Sequence, residues 1–246
     1  MSGMTGILAT GNINIGDHIT RKIFGLPVEL DIVWATLIAG AIVLGLGLYV
    51  SRKATSGVPG KAQLFFETVV DQVDQLVEST VGPAGVKIVP LAVTLFLFIL
   101  TANWLEVIPS APAGTKELLP SPTGNVNLTY AMAVVVIIIV HVASIRTRGL
   151  KGYVKHYFQP FPVFFPINVI EEITKPITMT FRLFGNIFSG VLMITVIVTL
   201  IPPYLSWIGL AVWKPFDELF IGAIQAFIFA LLTIMYLGMG MSRDQH

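Results

Sequence analysis

Cysteine is absent from the 246 residues, which excludes disulfides, zinc thiolates and iron–sulfur clusters. Charge is scarce as well: only 12% of the residues are Asp, Glu, Lys or Arg, against roughly 25% in soluble domains. There is no His-Glu-x-x-His pattern, so nothing points to a metalloprotease, and no metal or cofactor is expected. The net charge of +1 gives no reason to expect nucleic-acid binding. The first thirty residues lack a basic start, an apolar centre and a small-residue cleavage site. The first apolar run, from near Ile32, is therefore expected to remain in the mature protein. What the chain does have is apolar length. With 54% hydrophobic residues it reads as a single integral membrane domain.

The pattern predicts an all-α membrane protein with five crossings and one surface helix. After an N-terminal segment at 1–30, a simple span covers 31–51 and closes on Arg52 and Lys53. In 61–81, Phe66, Val69, Val70, Val73, Leu76 and Val77 recur at three- and four-residue steps. Glu67, Asp71, Asp74 and Glu78 fall elsewhere on the wheel, which predicts an interfacial amphipathic helix or one packed on a partner in water. Spans follow at 87–108 and 128–146, separated by an irregular loop rich in Pro and Gly. A polar loop is predicted from Arg148 to about Tyr157. The last two helices, 163–201 and 204–242, are too long for an upright crossing. Thirty-six residues make ~54 Å of helix, whereas the hydrocarbon core is ~30 Å thick. They are expected to form a steeply tilted hairpin, with Pro176 and Pro215 as sites for a kink.

Basic residues orient the chain. Nine of them (Arg52, Lys53, Lys61, Lys87, Arg146, Arg148, Lys151, Lys155 and Arg243) fall on one side of five crossings, and four (Arg21, Lys22, Lys116 and Lys214) on the other. The excess side is the cytoplasm, which puts the amino terminus outside and the carboxyl terminus inside a cell plasma membrane.

Lys175 and Arg182 are left over, inside a predicted span. On a wheel of 100° per residue, about 3.6 residues per turn, Glu171, Lys175, Thr178, Arg182, Asn186 and Ser189 form one narrow stripe. Glu171 and Lys175 are spaced as an i,i+4 ion pair. A polar stripe in lipid must face protein or water. Thr178 and Ser189 read as a structural seam, whereas Arg182 reads as functional, because charge at that depth is costly. In the last helix Glu218 and Gln225 stand seven residues apart, on one expected face. Gly222, Gly238, Ala223, Ala226 and Ala230 allow close helix approach. Asp217 falls on a different face and reads as an interfacial acid. A guanidinium does not give up its proton in proteins, but it does favour ionisation of a neighbouring carboxyl. Arg182 therefore requires a proton-exchanging carboxylic acid, one that another chain could supply.

"RLFGN", Arg182 to Asn186, preceded by "IEEITKPITMTF", resembles the signature of subunit a of F-type ATP synthases. "IQAFIFALLTIMYL", Ile224 to Leu237, is similar to that family's last helix. "PTGNVNLT" and "NWLEVIP" resemble two weaker segments. The resemblance covers most of the chain beyond the first helix, in the same order. It implies a proton-translocating subunit, not catalytic by itself. Its partners would be a rotating ring of c subunits, b-type peripheral stalk subunits and membrane lipid. The protonmotive force would become rotation, and ATP would be made by other subunits. The family match places Arg182 against the ring carboxylate, between two half-channels, with Gln225 near it. Asn186, Glu218, Asn103 and Asn125 go with the outer path, and Glu171, Glu172 and Lys175 with the inner entrance.

The chain departs from the family at three positions. Val191 stands where many relatives have a glutamate or histidine. Asn125 stands where aspartate is frequent, and Glu106 where a small residue is usual, which makes Glu106 a candidate to compensate. Glu218 is then the main outer relay. His141, the one histidine in a predicted span, reads as a structural hydrogen bonder. A secondary transporter would be expected to show internal repeats, and none is found. A purely structural membrane subunit would tolerate a neutral residue at position 182.

Overall fold

The computed structural model describes residues 20–23, 26–55, 57–107, 121–159 and 161–241. Most of the 1–30 segment, the 109–120 loop, Ile108, and Lys116 and Arg243 of the charge count lie outside the described residues. Among the described residues five helical stretches are long and apolar enough to cross a membrane: Leu30–Lys53, Gly85–Leu105, Val126–His156, Pro162–Leu200 and Tyr204–Met241. Ahead of them runs a short antiparallel pair, β1 (Thr20–Ile23) and β2 (Leu26–Glu29), with Thr20 opposite Glu29.

Helix α1 (Leu30–Lys53) presents Ala35 and Ala39 inward, both fully buried, and leaves Trp34, Leu37, Leu44 and Leu48 bare. This is how lipid-facing helices pack. Lipid tails are as apolar as leucine, so small residues that let backbones approach are what hold one helix to the next. Helix α2 (Lys61–Val81) carries the predicted apolar face. Val73 and Val77 are buried, and Phe66, Val69 and Leu76 pack on the core, while Val70 and all four acids stay exposed. That face is covered by this chain's own helices, so α2 needs no partner to bury it. Gly82, at φ 78°, ends α2 with its N–H on the Glu78 carbonyl, a backbone shape that glycine adopts without steric cost. A 3₁₀ turn, Pro83–Ile88, leads into α3.

Helix α3 (Val89–Leu105) is the central post, with half of its apolar window buried. It packs on α1, α2 and the last helix. Helix α4 (Val126–His156) replaces the polar loop expected after Arg148. Helical structure continues to His156 through a kink at Gly149 (φ 73°). The charges of this stretch read as a loop, but its residues between Gly149 and Tyr157 are compatible with helix. Only the glycine marks the bend.

Helix α5 (Phe165–Leu200) runs unbroken through Pro176, and only 11% of its apolar window is buried. It turns at Ile201–Pro202 into α6 (Pro203–Pro215). The continuation is not one α-helix, as the sequence suggested. A π-helical segment, Phe216–Ile221, separates α6 from α7 (Gly222–Met241). Three approaches fix the direction: Gly209 lies against Ile197, Asp217 against Gly190, and Lys175 over the Tyr236 ring. Numbers falling along α5 are matched by numbers rising along α6 and α7, so the pair is an antiparallel hairpin.

The common core joins α2, α3, α4, α5 and α7 around Ile99, Val136, Met179, Ala226 and Leu237. Ala226 is fully buried there. Leucine at 226 would have to displace neighbours, at a cost of about 1–3 kcal/mol. Thermal unfolding of the detergent-solubilised protein should show a clearly lower midpoint for Ala226→Leu. Ile224→Leu, at an exposed position, should leave the midpoint unchanged.

Candidate functional site

Two polar recesses open along α5, one on each side of Arg182. The first surrounds Glu218. Asn103, Glu106, Asn186, Gly190, Val191, Lys214, Asp217, Glu218 and Gly222 line a cleft with room for about one water molecule. Glu218 is only 8% exposed, and its Oε1 lies 3.5 Å from Lys214 Nζ. This ion pair spans one turn into the π segment. π-Helical turns bond i to i+5 and occur frequently at functional sites. Here α3 secures the turn from outside. Trp104 Nε1 donates to the Leu219 carbonyl at 3.3 Å, and Asn103 Nδ2 donates to the Gly222 carbonyl at 2.9 Å. Gly222 makes the approach possible, since a Cβ there would lie 3.0 Å from that of Asn103. Asn103 Oδ1 in turn accepts from Thr123, whose hydroxyl shares a 2.8 Å hydrogen bond with Ser121. Both hydroxyl residues are buried.

The second recess is a cavity of about 140 Å³, bounded among others by His141, Tyr153, Tyr157, Glu171, Glu172, Lys175 and Tyr236. Lys175 Nζ donates to Glu172 Oε1, so its partner is Glu172 at i−3 and not Glu171, which is exposed. The i,i+4 spacing favoured Glu171. The wall formed by α4 and α7 draws the ammonium toward Glu172 and the Tyr236 ring, whose centroid is 5.5 Å away. Glu172 Oε2 is buried without a hydrogen bond among the described residues, 4.0 Å from His141 Nε2. His141 Nδ1 and the Tyr153 hydroxyl are 3.2 Å apart, and Tyr153 and Tyr157 share a 2.7 Å bond. Burial first, then the hydrogen bond with Tyr153, pushes the Tyr157 phenol above its ordinary value, so it stays a neutral hydroxyl.

Arg182 stands seven residues beyond Lys175 and four before Asn186, ~10 Å and ~6 Å of helix rise respectively. It is exposed and makes no hydrogen bond or ion pair with any other described residue. With Met179, Leu183, Gln225, Phe229 and Leu232 it lines a shallow indentation. Gln225 Oε1 is buried there and accepts no hydrogen bond among the described residues. An orphan carbonyl of this kind costs about 1–3 kcal/mol until a donor reaches it. Thr178 and Ser189 of the predicted stripe are also exposed, with hydroxyls bonded back to their own helix.

Of the predicted site residues, Asn103, Glu106, Asn186 and Glu218 come together in the first recess, and Glu171, Glu172 and Lys175 in the second. Gln225 joins Arg182 and not Glu218, because the π segment intervenes between the two positions. Asn125 enters neither recess. It is the N-cap of α4, accepting from the Asn127 and Leu128 amides, and its amide group bonds Glu29. Lys214, Tyr153 and Tyr157 line the recesses and Thr123 supports the first through Asn103, none of them expected there, while Asp217, read from the sequence as an interfacial acid on a different face, lines the first recess. Only Lys214, at i−4 from Glu218, had a spacing that could have disclosed it.

Five apolar crossings with ionisable groups held between them define a multi-pass membrane protein of the ion-handling kind. The profile of the family described as ATP synthase A chain matches residues 33–238. A protein named ATP synthase subunit a from Acidothermus cellulolyticus is 49% identical over 95% of this chain and 85% of its own length. Its namesake from Mycobacterium leprae is 44% identical over 98% of both chains, and one from Bacillus velezensis is 35% identical over 93% of this chain and 98% of its own. The chain belongs to the ATP synthase A chain family.

Proposed function

We propose that this chain is the proton-translocating stator subunit of an F-type ATP synthase, with two half-channels that meet a ring of c subunits. It is an ion-translocating part of the complex and not a catalyst by itself. The observation that carries the reading is Arg182, an exposed cation in an apolar helix, without an ion-pair partner among the described residues and lying between two polar recesses. A lone guanidinium at bilayer depth costs a few to well over ten kcal/mol, roughly 2.5–17. A carboxylate from the ring offsets that cost.

The recess around Glu218 serves as the outer half-channel, and the Glu172–Lys175 cavity as the inner one. A proton entering from outside reaches Glu218 by way of water and passes to a ring carboxylate. Once neutral, that carboxyl is tolerated by lipid, and its subunit rotates away. Nearly a full turn later a protonated subunit meets the inner recess and releases its proton. Arg182 favours that release by stabilising the anion, and its fixed charge blocks direct leakage between the recesses. Asn103 serves the outer path by holding the π turn that carries Glu218. Asn186 lines the same cleft, and Glu106 stands beside it as a second acid. Glu171, at the mouth of the inner cavity, completes the acidic side of that exit. The b-type stalk subunits hold the chain still against the ring. The amino terminus lies outside and the carboxyl terminus in the cytoplasm.

In membrane vesicles carrying the whole complex, Arg182→Ala should abolish ATP-driven proton pumping while subunit assembly stays normal. Pumping at the native rate would exclude the assignment. Glu218→Gln keeps size and hydrogen bonding but cannot ionise, so proton flux should fall at least about a hundredfold, the low end for loss of a positioned proton-transfer group. Near-native flux in Glu218→Gln with loss in Glu106→Gln would move the path to α3. A reporter fused after His246 should be active only on the cytoplasmic side, and activity only outside would reverse the topology.

A further inference from the structure

Asp217 occupies a place the sequence does not suggest. On an α-helix it would point about 100° away from Glu218, toward another surface. In the π segment both acids nonetheless line the same cleft, beside Lys214 and Glu106. The Asp217 carboxylate is half-buried and lies against the α5 backbone at Gly190. A Cβ added at Gly190 would overlap Asp217 Oδ2 and sit 3.1 Å from its Cγ. The oxygen therefore fills the space that any other residue at 190 would claim. Asp217 makes no hydrogen bond or ion pair with another described residue, whereas the Lys214 ammonium stands 3.5 Å from Glu218.

Charge counting in this cleft gives the consequence. One ammonium answers one carboxylate, and Glu218 is the one it approaches. Asp217 and Glu106 add two further carboxyls to the same confined cleft, and like charges held this close favour sharing of a proton. Carboxyls that interact this closely titrate as a coupled group and not singly.

We propose that Asp217 is the second proton-carrying group of the outer cleft, coupled to Glu218, and that Gly190 is the clearance position that admits its carboxylate. This rests on the half-channel reading above. A hydronium ion on the outer side gives its proton to an Asp217 carboxylate oxygen and is left as water. Asp217 passes a proton through the cleft water to Glu218 and is itself left ionised, ready for the next. No electrons are exchanged, and the charge delivered to the ring is one proton. Gly190 touches no proton and acts only through Asp217.

The test uses assembled complexes in inverted membrane vesicles, with ATP-driven proton flux measured from pH 5.5 to 9 and Arg182→Ala alongside. Asp217→Asn should lower flux about tenfold with normal assembly. It should also move the flux profile to lower pH. Removing a like charge lets Glu218 ionise more readily, while Glu106 and Lys214, the other titratable groups facing the cleft, stay in place. Asp217→Glu should recover part of the flux. Gly190→Ala should lose flux in the native background and add nothing in an Asp217→Ala background. Native flux with an unmoved profile in Asp217→Asn overturns the proposal, as does an additional loss from Gly190→Ala when Asp217 is already alanine. With Arg182→Ala inactive, either result refutes Asp217 alone. Active Arg182→Ala vesicles would refute the half-channel reading itself.

Discussion

An unpaired cation in an apolar helix cannot persist in lipid without an answering charge, and the rest of the structure is arranged around that requirement. Arg182 projects from α5 on the side this chain leaves bare, and only a small part of α5's apolar window is buried. Helices α3 and α4 both pack against α7, as a rigid support needs to. Helix α5 is attached to that support along one face, with its arginine outward. Gln225 contributes a buried carbonyl beside it that lacks a donor. Both features are costly in the isolated chain, and both become favourable when a partner brings an ionised carboxyl to the same surface.

The arginine is useful only if ionisable groups on either side of it are kept apart. Helix length provides that separation, because the recesses lie on the same helix but more than a turn from Arg182 in each direction. Local backbone shape then supplies the detail. The π segment directs two acids into one cleft, and Asn103, held by Thr123 and Ser121, fixes that segment from α3. At the other recess Tyr153 and Tyr157 tie the kinked end of α4 to His141, and through it to the neighbourhood of Glu172. His141 is thus a hydrogen bonder, as its sequence context suggested, but one placed within reach of a buried carboxylate.

Much of this was legible in the sequence. Apolar runs longer than a bilayer is thick gave the crossings, and the three- and four-residue steps gave the inward face of α2. The stripe containing Arg182 followed from helical spacing alone. Family-like segments then connected residues as distant as Asn103 and Glu218, which the structure brings into one cleft. The misreadings share one cause. The loop after Arg148, the Glu171–Lys175 pair and the common face of Glu218 and Gln225 were each inferred from local pattern or ideal spacing. At each place a neighbouring helix, a glycine or a change of helical pitch decided the outcome.

Composition and periodicity by themselves determined that this chain crosses a membrane five times and carries charge where charge is expensive, because hydrophobic length and wheel position are additive properties of a helix. Only the tertiary structure decided which acids share a cleft, which carboxylate Lys175 meets, and that Asp217 rests against Gly190. Those outcomes depend on pitch and on the approach of a second backbone. Neither is encoded in any single stretch of sequence.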